Sequence, residues 1–551
     1  EDVWAKNVTE ARAFYLDKAR KYKYDSWDFD KKYGFTSTSG LNFELTLDQI
    51  MSLYAYSKRA QADEHLEYGG FVFDPNTEVV EKTKSGIKVK YNVANATAYN
   101  LSKETVTDIV SKLTPEQKGY ADEMQAYLSD VMGAKGNEVS LAMYDIKLFK
   151  EKHYFPLKSA TQYMARAKEQ AQGEVKVKNS GFSKNTMPHA KNPIVLSSFM
   201  DVWANHVNDM SMYHAFVLPM EDFYRIYNYT TPSNNPKMPV EGVTPYLENA
   251  FGTGATAYID QLLKDLNGGA RTDSTTGFIN KAMGMFKKGA VFASASVVVQ
   301  QPSAIARAAA LVDMKYFIGP KVDGKRHKEL WAEVKEYAPV AIIKEMGYFD
   351  TNMGKSTQDF ILGKEYSTIK EKAMALVTDS NYRDEVLSKA PALADEIAWC
   401  GIWEAVKRET NAKYPDMDVK SSEFLKKAGE RFTEVIVKTQ VYDSVLARSA
   451  NMRSKDTGMK MATAFMAEPT TSINMLEDAV RQWKRGNKKQ SMNQISAVYG
   501  SVLLNAALVS LVYAARDNDE DENYLEKYIG SLTTEIIDGM NPLTYVPFIK
   551  D

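Results

Sequence analysis

The residues best suited to chemistry in this sequence are two histidines and an aspartate that lie close together. His206 and His214 are about two helical turns apart, and Asp209 follows His206 by three residues. Residues three apart share a face of a helix, so His206, Asp209 and His214 are candidate ligands of a metal ion. The His-Glu-x-x-His pattern of zinc enzymes does not occur in the sequence. Buried histidines bonded to Asp or Asn side chains are the favoured alternative.

Other catalytic patterns are weak. Cys400, the single cysteine, lies in the apolar segment 397–403, which indicates a buried structural thiol. The segment Thr36–Gly40 resembles the Ser-Thr-Ser strand of ADP-ribosyltransferases, but the strand arginine and the Glu-x-Glu pair of that pattern are not evident. We expect no cofactor, and the balance favours a chain that is not an enzyme. An enzyme built on His206, Asp209 and His214 is the alternative.

The charge of the chain does not favour a dedicated nucleic-acid binder. Lys and Arg number 69 against 71 Asp and Glu, whereas such binders usually carry a basic excess. Two short basic stretches are nevertheless candidate contacts, through Lys21 and Lys23 in the first and Arg166 and Lys168 in the second. The first stretch alternates with tyrosines, whose rings can stack on single strands. Solvated helix faces are the favoured interpretation, and DNA is the alternative partner.

Helical periodicity dominates the chain and predicts a mainly α protein, a large multi-helix body with one small β-hairpin insert. The hairpin is expected near residues 72–101, where 87–93 alternate between apolar and polar side chains. The polar, basic stretch 168–192 has little periodicity. It is predicted to link an N-terminal helical domain, 1–167, to a large helical domain, 193–551. Thr114, followed by proline, is typical of a helix start.

Two apolar segments stand out in the larger predicted domain, 289–306 and 490–515. The second has no charged residue over 26 positions, which is long enough to cross a bilayer. Basic residues precede it and acidic residues follow it, as in an oriented membrane span. The first third of this segment is polar, which favours a buried helix of the core over a segment that meets membrane.

Gln300, Gln301 and Pro302 interrupt the first apolar segment. Proline lacks an amide donor and crowds the preceding turn, so we expect one helix to break at the glutamines. A new helix is then predicted to begin at Ser303, before Arg307. The glutamine side chains can satisfy the backbone groups that a buried break leaves unpaired. The alternative is a hinge at which two helical blocks move apart.

A second structural or hinge candidate lies at Glu468 and Pro469, where an apolar helix is expected to end. Arg453 lies in a charged turn before that helix. We predict an ion pair between Arg453 and Glu468, which would join the two ends of the segment.

Eight short stretches occur in an order that resembles a known family. They are 47–62 with His65, 153–157, 206–210 with Pro219, 299–302 with Arg307, 394–399 with Trp403, 439–440, 452–455 and 465–470. In this order they resemble the helical carboxy-terminal region of the large polyvalent proteins of phages and conjugative elements. The resemblance extends from about Leu47 to Asp551.

The resemblance implies a non-catalytic structural or delivery module of a long protein that travels with DNA into a new host. Its expected partners are the other domains of the same long chain, and membrane contact through 490–515 or contact with DNA are further expectations. The expected locations are the phage particle and the host cytoplasm, with membrane association during transfer. The enzymatic domains of the family lie elsewhere in the long chain, so no catalytic residue is carried over. We expect Glu1–Asp551 to be a segment of such a chain.

Overall fold

The computed structural model describes residues 2–29, 31–59, 62–73, 81–82, 88–89, 98–157, 192–230, 242–268, 302–319, 324–338, 341, 361–362, 380–440 and 467–516. Helices account for 73% of the described residues, so the chain is mainly α, as its periodicity predicts. The chain divides into two compact units. Unit 1 is Glu1–Asp273 with Asn352–Gly363, and unit 2 is Ser274–Thr351 with Lys364–Asp551.

Unit 1 is built from helices and short strands. Its helices in the described residues are α1 (Asp2–Lys21), α2 (Leu47–Ser57), α3 (Ala62–Tyr68), α4 (Lys103–Ser111), α5 (Pro115–Ala126), α6 (Gly133–Tyr144), α7 (Phe199–Tyr227), α8 (Val243–Phe251) and α9 (Thr253–Gly268). Its strands are β1 (Lys32–Thr36), β2 (Asn42–Thr46), β3 (Phe71–Phe73), β4 (Glu81–Lys82), β5 (Lys88–Val89) and β6 (Ile194–Leu196). The π-helical segment Tyr127–Met132 joins α5 to α6 without a loop.

Two helices of unit 1 begin with reciprocal caps. Thr46 accepts from the amide of Gln49, and the Gln49 side chain accepts from the amide of Thr46. The predicted start at Thr114 is confirmed, because Thr114 and Gln117 form the same pair of bonds. Pro115 occupies the first helical position, where its missing amide costs no bond. These caps fix the first turns of α2 and α5.

Helix α7 packs against α1, α6 and the π-helical segment in the core of unit 1. The buried Trp203 of α7 donates from Nε1 to the carbonyl of Met124 at 2.9 Å. Trp4 of α1 donates from Nε1 to Asn208 Oδ1 at 3.1 Å. Each bond satisfies an indole donor inside an apolar contact, as buried tryptophan requires.

Three pairs of short strands belong to the described part of unit 1. β4 and β5 pair antiparallel, with Glu81 opposite Val89, and they form the hairpin that the alternation predicts. β1 and β2 form a second antiparallel pair, and the segment Thr36–Gly40 lies at their connection. β3 pairs parallel with β6, with Phe71 opposite Ile194. The Ser-Thr-Ser segment is therefore part of a hairpin turn.

The position of β6 and α7 corrects the expected domain boundary. The sequence predicts a linker at 168–192 that separates 1–167 from 193–551. In the structure β6 pairs with β3 and α7 packs on α1 and α6, so unit 1 continues to Asp273. Low periodicity predicts a connection, but it does not show that the chain returns to the same core afterwards. Residues 168–191 lie outside the described part of the chain.

In the described part of unit 2, every regular element is a helix. Its helices there are α10 (Pro302–Ala308), α11 (Gly324–Tyr337), α12 (Ser380–Lys413), α13 (Ser422–Thr439), α14 (Ala467–Lys484) and α15 (Lys488–Arg516). The buried rings of Trp399 and Trp403 on α12 meet the ring of Phe432 on α13 edge-on, at centroid distances of 6.0 and 5.5 Å. Residues 485–487 join α14 to α15, and these two helices pack together as a helical hairpin.

The predicted helix start after the glutamine pair is close to the observed one. Pro302 opens α10, one residue before the predicted start at Ser303. Arg307 is buried on this short helix. Gln440, which follows α13, also bonds this helix, because its Nε2 donates to the carbonyl of Ala304 at 2.9 Å. Residues 300–301 lie outside the described residues, so the buried break and the hinge both stay predictions.

The expectation for Glu468 and Pro469 is wrong. These residues lie in the first turn of α14, which begins at Ala467, so a helix starts there instead of ending. The first amides of a helix have no acceptor within it, and proline is therefore tolerated in the first turn. Arg453 lies outside the described residues, and its ion pair with Glu468 stays a prediction.

Candidate functional site

The candidate metal ligands all lie on α7, and His206 and His214 contact residues of other segments. His206 is buried, with its ring 5.0 Å from the ring of Tyr154. His214 Nδ1 lies 3.0 Å from the side-chain nitrogen of Asn7, and Nε2 lies 2.9 Å from Glu138 Oε2. Within the described residues, no three His, Cys, Asp or Glu side chains are grouped so that they could hold a metal ion. His206, Asp209 and His214 are therefore not brought together as a metal site.

The contacts of His214 belong to a series of polar groups that joins α1, α6 and α7. Asn7 donates to His214 Nδ1 and accepts from Lys135 Nζ at 2.5 Å. Lys135 Nζ also lies 2.6 Å from Glu10 Oε2. With Nδ1 accepting and Nε2–H donating to Glu138, both imidazole nitrogens are used. His214 thus has the contacts of a structural histidine.

The predicted nucleic-acid contact Lys21 is bound to an acidic residue of α5. Lys21 Nζ and the Tyr22 hydroxyl donate to Glu123 Oε1 at 2.5 and 2.7 Å, and Lys18 Nζ lies 2.9 Å from Oε2. Partial burial works to raise the pKa of Glu123, but the three donors lower it to about 2. This basic stretch therefore ties α1 to α5.

The remaining nucleic-acid candidates are Lys23, Arg166 and Lys168. Lys23 has a left-handed backbone, with φ 53°, immediately before the 3₁₀ turn Tyr24–Ser26. The 3₁₀ turn that follows packs back against α1, where the Tyr24 ring lies 6.3 Å from the Tyr15 ring. Arg166 and Lys168 lie outside the described residues, so their role stays a prediction.

A buried carboxyl group that no sequence motif marks connects the starts of two helices. Asp48 lies in the first turn of α2, near the Ser198 hydroxyl and the amides of Phe199 and Met200 at the start of α7, and its buried Oδ1 has no hydrogen-bond partner among the described residues. Burial raises the pKa of Asp48 to about 6, and the charge of Asp201 adds to the increase. The three donors act in the opposite direction, because they stabilise the carboxylate.

Two tyrosines of an aromatic cluster, Tyr24 and Tyr120, lie close enough to this carboxyl group for its charge to affect them. The Tyr24 ring lies 5.0 Å from the Tyr120 ring and 4.8 Å from the Phe29 ring, and Trp27 meets Tyr120 edge-on at 5.4 Å. Burial raises the pKa of Tyr24, and the charge of Asp48 adds to that increase. Burial also raises the pKa of Tyr120, whose hydroxyl points to the sulfur of Met200 at 3.2 Å. Both phenols therefore stay protonated at neutral pH.

These residues form what we call the Asp48 site, which comprises Asp48, Ser198, Asp201, Tyr24 and Tyr120. Ser198 Oγ accepts from the amide of Asp201 at 3.4 Å and thereby caps α7. A carboxylate at the start of a helix is stabilised by the partial positive charge of the unpaired amides there. The site can bind and release a proton near pH 6, and its charge is coupled to the contact between α2 and α7.

The polar residues of unit 2 also join helices. Glu404 of α12 accepts from Arg326 of α11 at 2.5 Å. Glu333 of α11 accepts from Trp403 Nε1 at 3.0 Å and from Lys407 Nζ at 2.7 Å. Cys400 lies on the same helix, and burial raises the pKa of its thiol to about 12. A thiol with that pKa is protonated at neutral pH, which agrees with the structural role predicted for Cys400.

The apolar segment 490–515 lies within α15. Ser491, Gln494 and Val498 are buried, and the helix packs against α14 and α10. The polar first third of the segment therefore lies partly inside the core of unit 2. No helix in the described ranges is both long enough and apolar enough to cross a bilayer.

Three comparisons with known proteins, against family models, curated proteins and solved structures, found no match.

Proposed function

We propose that this chain is a non-catalytic helical module of a phage or mobile-element polyvalent protein that is transferred with DNA into the host. Its role is to support delivery and to hold the enzymatic domains of the same long chain. The non-catalytic role is supported by one observation: polar side chains that could take part in catalysis instead bond one helix to another. His214 with Asn7, and Trp403 with Glu333, are examples. The ordered stretches that resemble polyvalent proteins support the transfer.

The transfer is tested with a phage or mobile element in which the region of the long protein that corresponds to this chain carries an epitope tag. We expect the tagged protein in purified particles or donor complexes, and then in the recipient cytoplasm soon after DNA entry. Deletion of the region should lower the number of recipients that receive the DNA. Absence of the tagged protein from both particles and recipients would overturn the proposal.

The non-catalytic part is tested by comparing His206→Ala and His214→Ala with the unchanged protein. Both substitutions should lower thermal stability, because His206 is buried and His214 bonds two other helices. Elemental analysis should find no metal in molar proportion to the protein. A bound metal that disappears in His206→Ala would instead support the enzyme alternative.

A further inference from the structure

Helix α15 is apolar on its outer side as well as in the core. Met492, Tyr499 and Leu503 are 50%, 46% and 50% exposed. Their spacing of seven and then four residues places them on one face of the helix. Gln494 and Val498 are buried and lie on the opposite side. The uncharged sequence of this segment therefore serves two surfaces, one inside unit 2 and one in contact with solvent.

Helix α14 of the same hairpin also exposes large apolar side chains. Ile473, Val480 and Trp483 are 51%, 52% and 48% exposed. They follow one another at seven and three residues, whereas Met475 and Ala479 between them are buried. We call the six exposed side chains the outer apolar residues: Ile473, Val480, Trp483, Met492, Tyr499 and Leu503.

The connection between the two helices is strongly basic. Residues 481–490 hold five basic residues and no acidic one, namely Arg481, Lys484, Arg485, Lys488 and Lys489. All five are exposed. Arg481 pairs with Glu477 at 2.6 Å, and the other four make no ion pair with another residue in the described ranges. Lys488 Nζ lies 5.5 Å from the centre of the Trp483 ring. We call residues 481–490 the basic tip.

We propose that the basic tip and the outer apolar residues dock on the surface of an anionic lipid bilayer. Protein segments that lie in the headgroup region of a bilayer typically expose Lys and Arg next to tryptophan and aliphatic side chains. Basic residues close to an anionic surface each contribute favourable electrostatic energy. The hairpin lies in that region without crossing the bilayer, which agrees with the absence of a spanning helix among the described elements.

The charge distribution also gives the docking an orientation. In the sequence, α15 is followed by 517–522, in which five of six residues are acidic. A helix of the length of α15 spans roughly 40 Å, so the basic and acidic groups are far apart along the chain. An anionic surface attracts the tip and repels the acidic stretch. This inference rests on exposure and charge, and it stands whether or not the chain is transferred with DNA.

The test is sedimentation of the full chain with vesicles at low salt. Neutral vesicles of phosphatidylcholine alone are compared with mixed vesicles that contain phosphatidylcholine and phosphatidylglycerol in equal amounts. We expect binding to the mixed vesicles and much weaker binding to the neutral ones. Exchange of Lys484, Lys488 and Lys489 for glutamine should lower binding to the mixed vesicles by about tenfold or more.

A second variant replaces Met492, Tyr499 and Leu503 with glutamine, and it should also lower binding by about tenfold. Its matched control replaces Leu141, Tyr144 and Ile146, which are similarly exposed on unit 1, and should bind like the unchanged chain. Circular dichroism checks that each variant is folded. Equal loss in the control, or no binding of the unchanged chain to mixed vesicles, overturns the proposal.

Two other occupants of this surface give distinct results. If the basic tip binds DNA, the lysine variant loses a mobility shift on DNA while the unchanged chain ignores mixed vesicles. If the outer apolar residues form an interface between two copies, light scattering shows a dimer that the glutamine variant of α15 no longer forms, again without vesicle binding. Either result overturns docking on lipid.

Discussion

Replacement of Asp48 by asparagine tests whether the Asp48 site makes stability depend on pH. The folded chain raises the pKa of Asp48 from 3.8 to about 6, so the folded state holds a proton that the unfolded state releases. The stabilisation from this group is therefore fully present below about pH 4 and is lost as the pH rises through about 6. Asparagine resembles the protonated carboxyl in shape and charge but does not titrate, so the variant should lack this dependence.

The size of the effect follows from the change in pKa. A difference from 3.8 to about 6 corresponds to roughly 3 kcal/mol between the fully protonated and the fully ionised group. Most of this difference in free energy of unfolding develops below pH 5. Between pH 7 and pH 5, the free energy of unfolding is expected to change by about 1 kcal/mol. Below that window Glu123 acts in the opposite direction, because its lowered pKa makes stability fall as it becomes protonated. The comparison therefore belongs between pH 5 and pH 7.

The assay is urea unfolding of the unchanged chain and of Asp48→Asn at both pH values, followed by tryptophan fluorescence. Unit 1 contains Trp203, which reports on the core around α7. The free energy of unfolding of the unchanged chain should rise on acidification by about 1 kcal/mol more than that of the variant. Asp222→Asn, an exposed change on α7, is the control and should keep the pH dependence of the unchanged chain. Parallel pH profiles for Asp48→Asn and the unchanged chain would refute the reasoning.

Three further predictions concern the cores of the two units. Trp203→Phe removes the bond to the Met124 carbonyl and should lower the free energy of unfolding by about 1–2 kcal/mol, measured in urea. Gly136→Ala places a Cβ atom 2.6 Å from Met210 Cε and should lower the free energy of unfolding by about 1 kcal/mol or more. Its control is Gly500→Ala, where no atom lies within 4 Å of the new Cβ, and this change should be neutral or stabilising by up to about 1 kcal/mol. Cys400 should react with a thiol reagent only as fast as unit 2 unfolds, because burial raises its pKa to about 12; rapid reaction in native buffer contradicts this.

Local chemistry was sufficient to predict several elements from the sequence. The cap at Thr114 and the start of α10 next to Pro302 depend on residues within one helical turn, so they can be identified without the rest of the chain. The antiparallel pair of β4 and β5 lies where the alternation of 87–93 predicts a strand. Pro469 shows the limit of such signals, because proline is compatible with the first turn of a helix as well as with its end.

Contacts between distant segments could not be predicted in this way. The parallel pair of β3 and β6 joins Phe71 to Ile194, and it places the predicted linker inside one unit instead of between two. The Asp48 site has the same origin. Asp48 in a first turn is an ordinary helix-start residue, and its pKa is raised only because the folded chain buries its carboxyl group. The aromatic series from Tyr24 to Phe29 was the one visible signal near this site.

The apolar segment 490–515 shows why hydropathy alone did not decide between core and membrane. A membrane span needs apolar side chains around its whole circumference, whereas a core helix needs them on one face. In α15 the buried face includes Ser491, Gln494 and Ser501, while the opposite face exposes Met492, Tyr499 and Leu503. The buried face thus mixes these polar groups with Ala497 and Val498, and the outer face carries large apolar side chains that an ordinary surface helix would not expose. Exposed apolar area of this kind is costly to keep in water, so its presence beside a basic tip favours a partner that is both apolar and anionic.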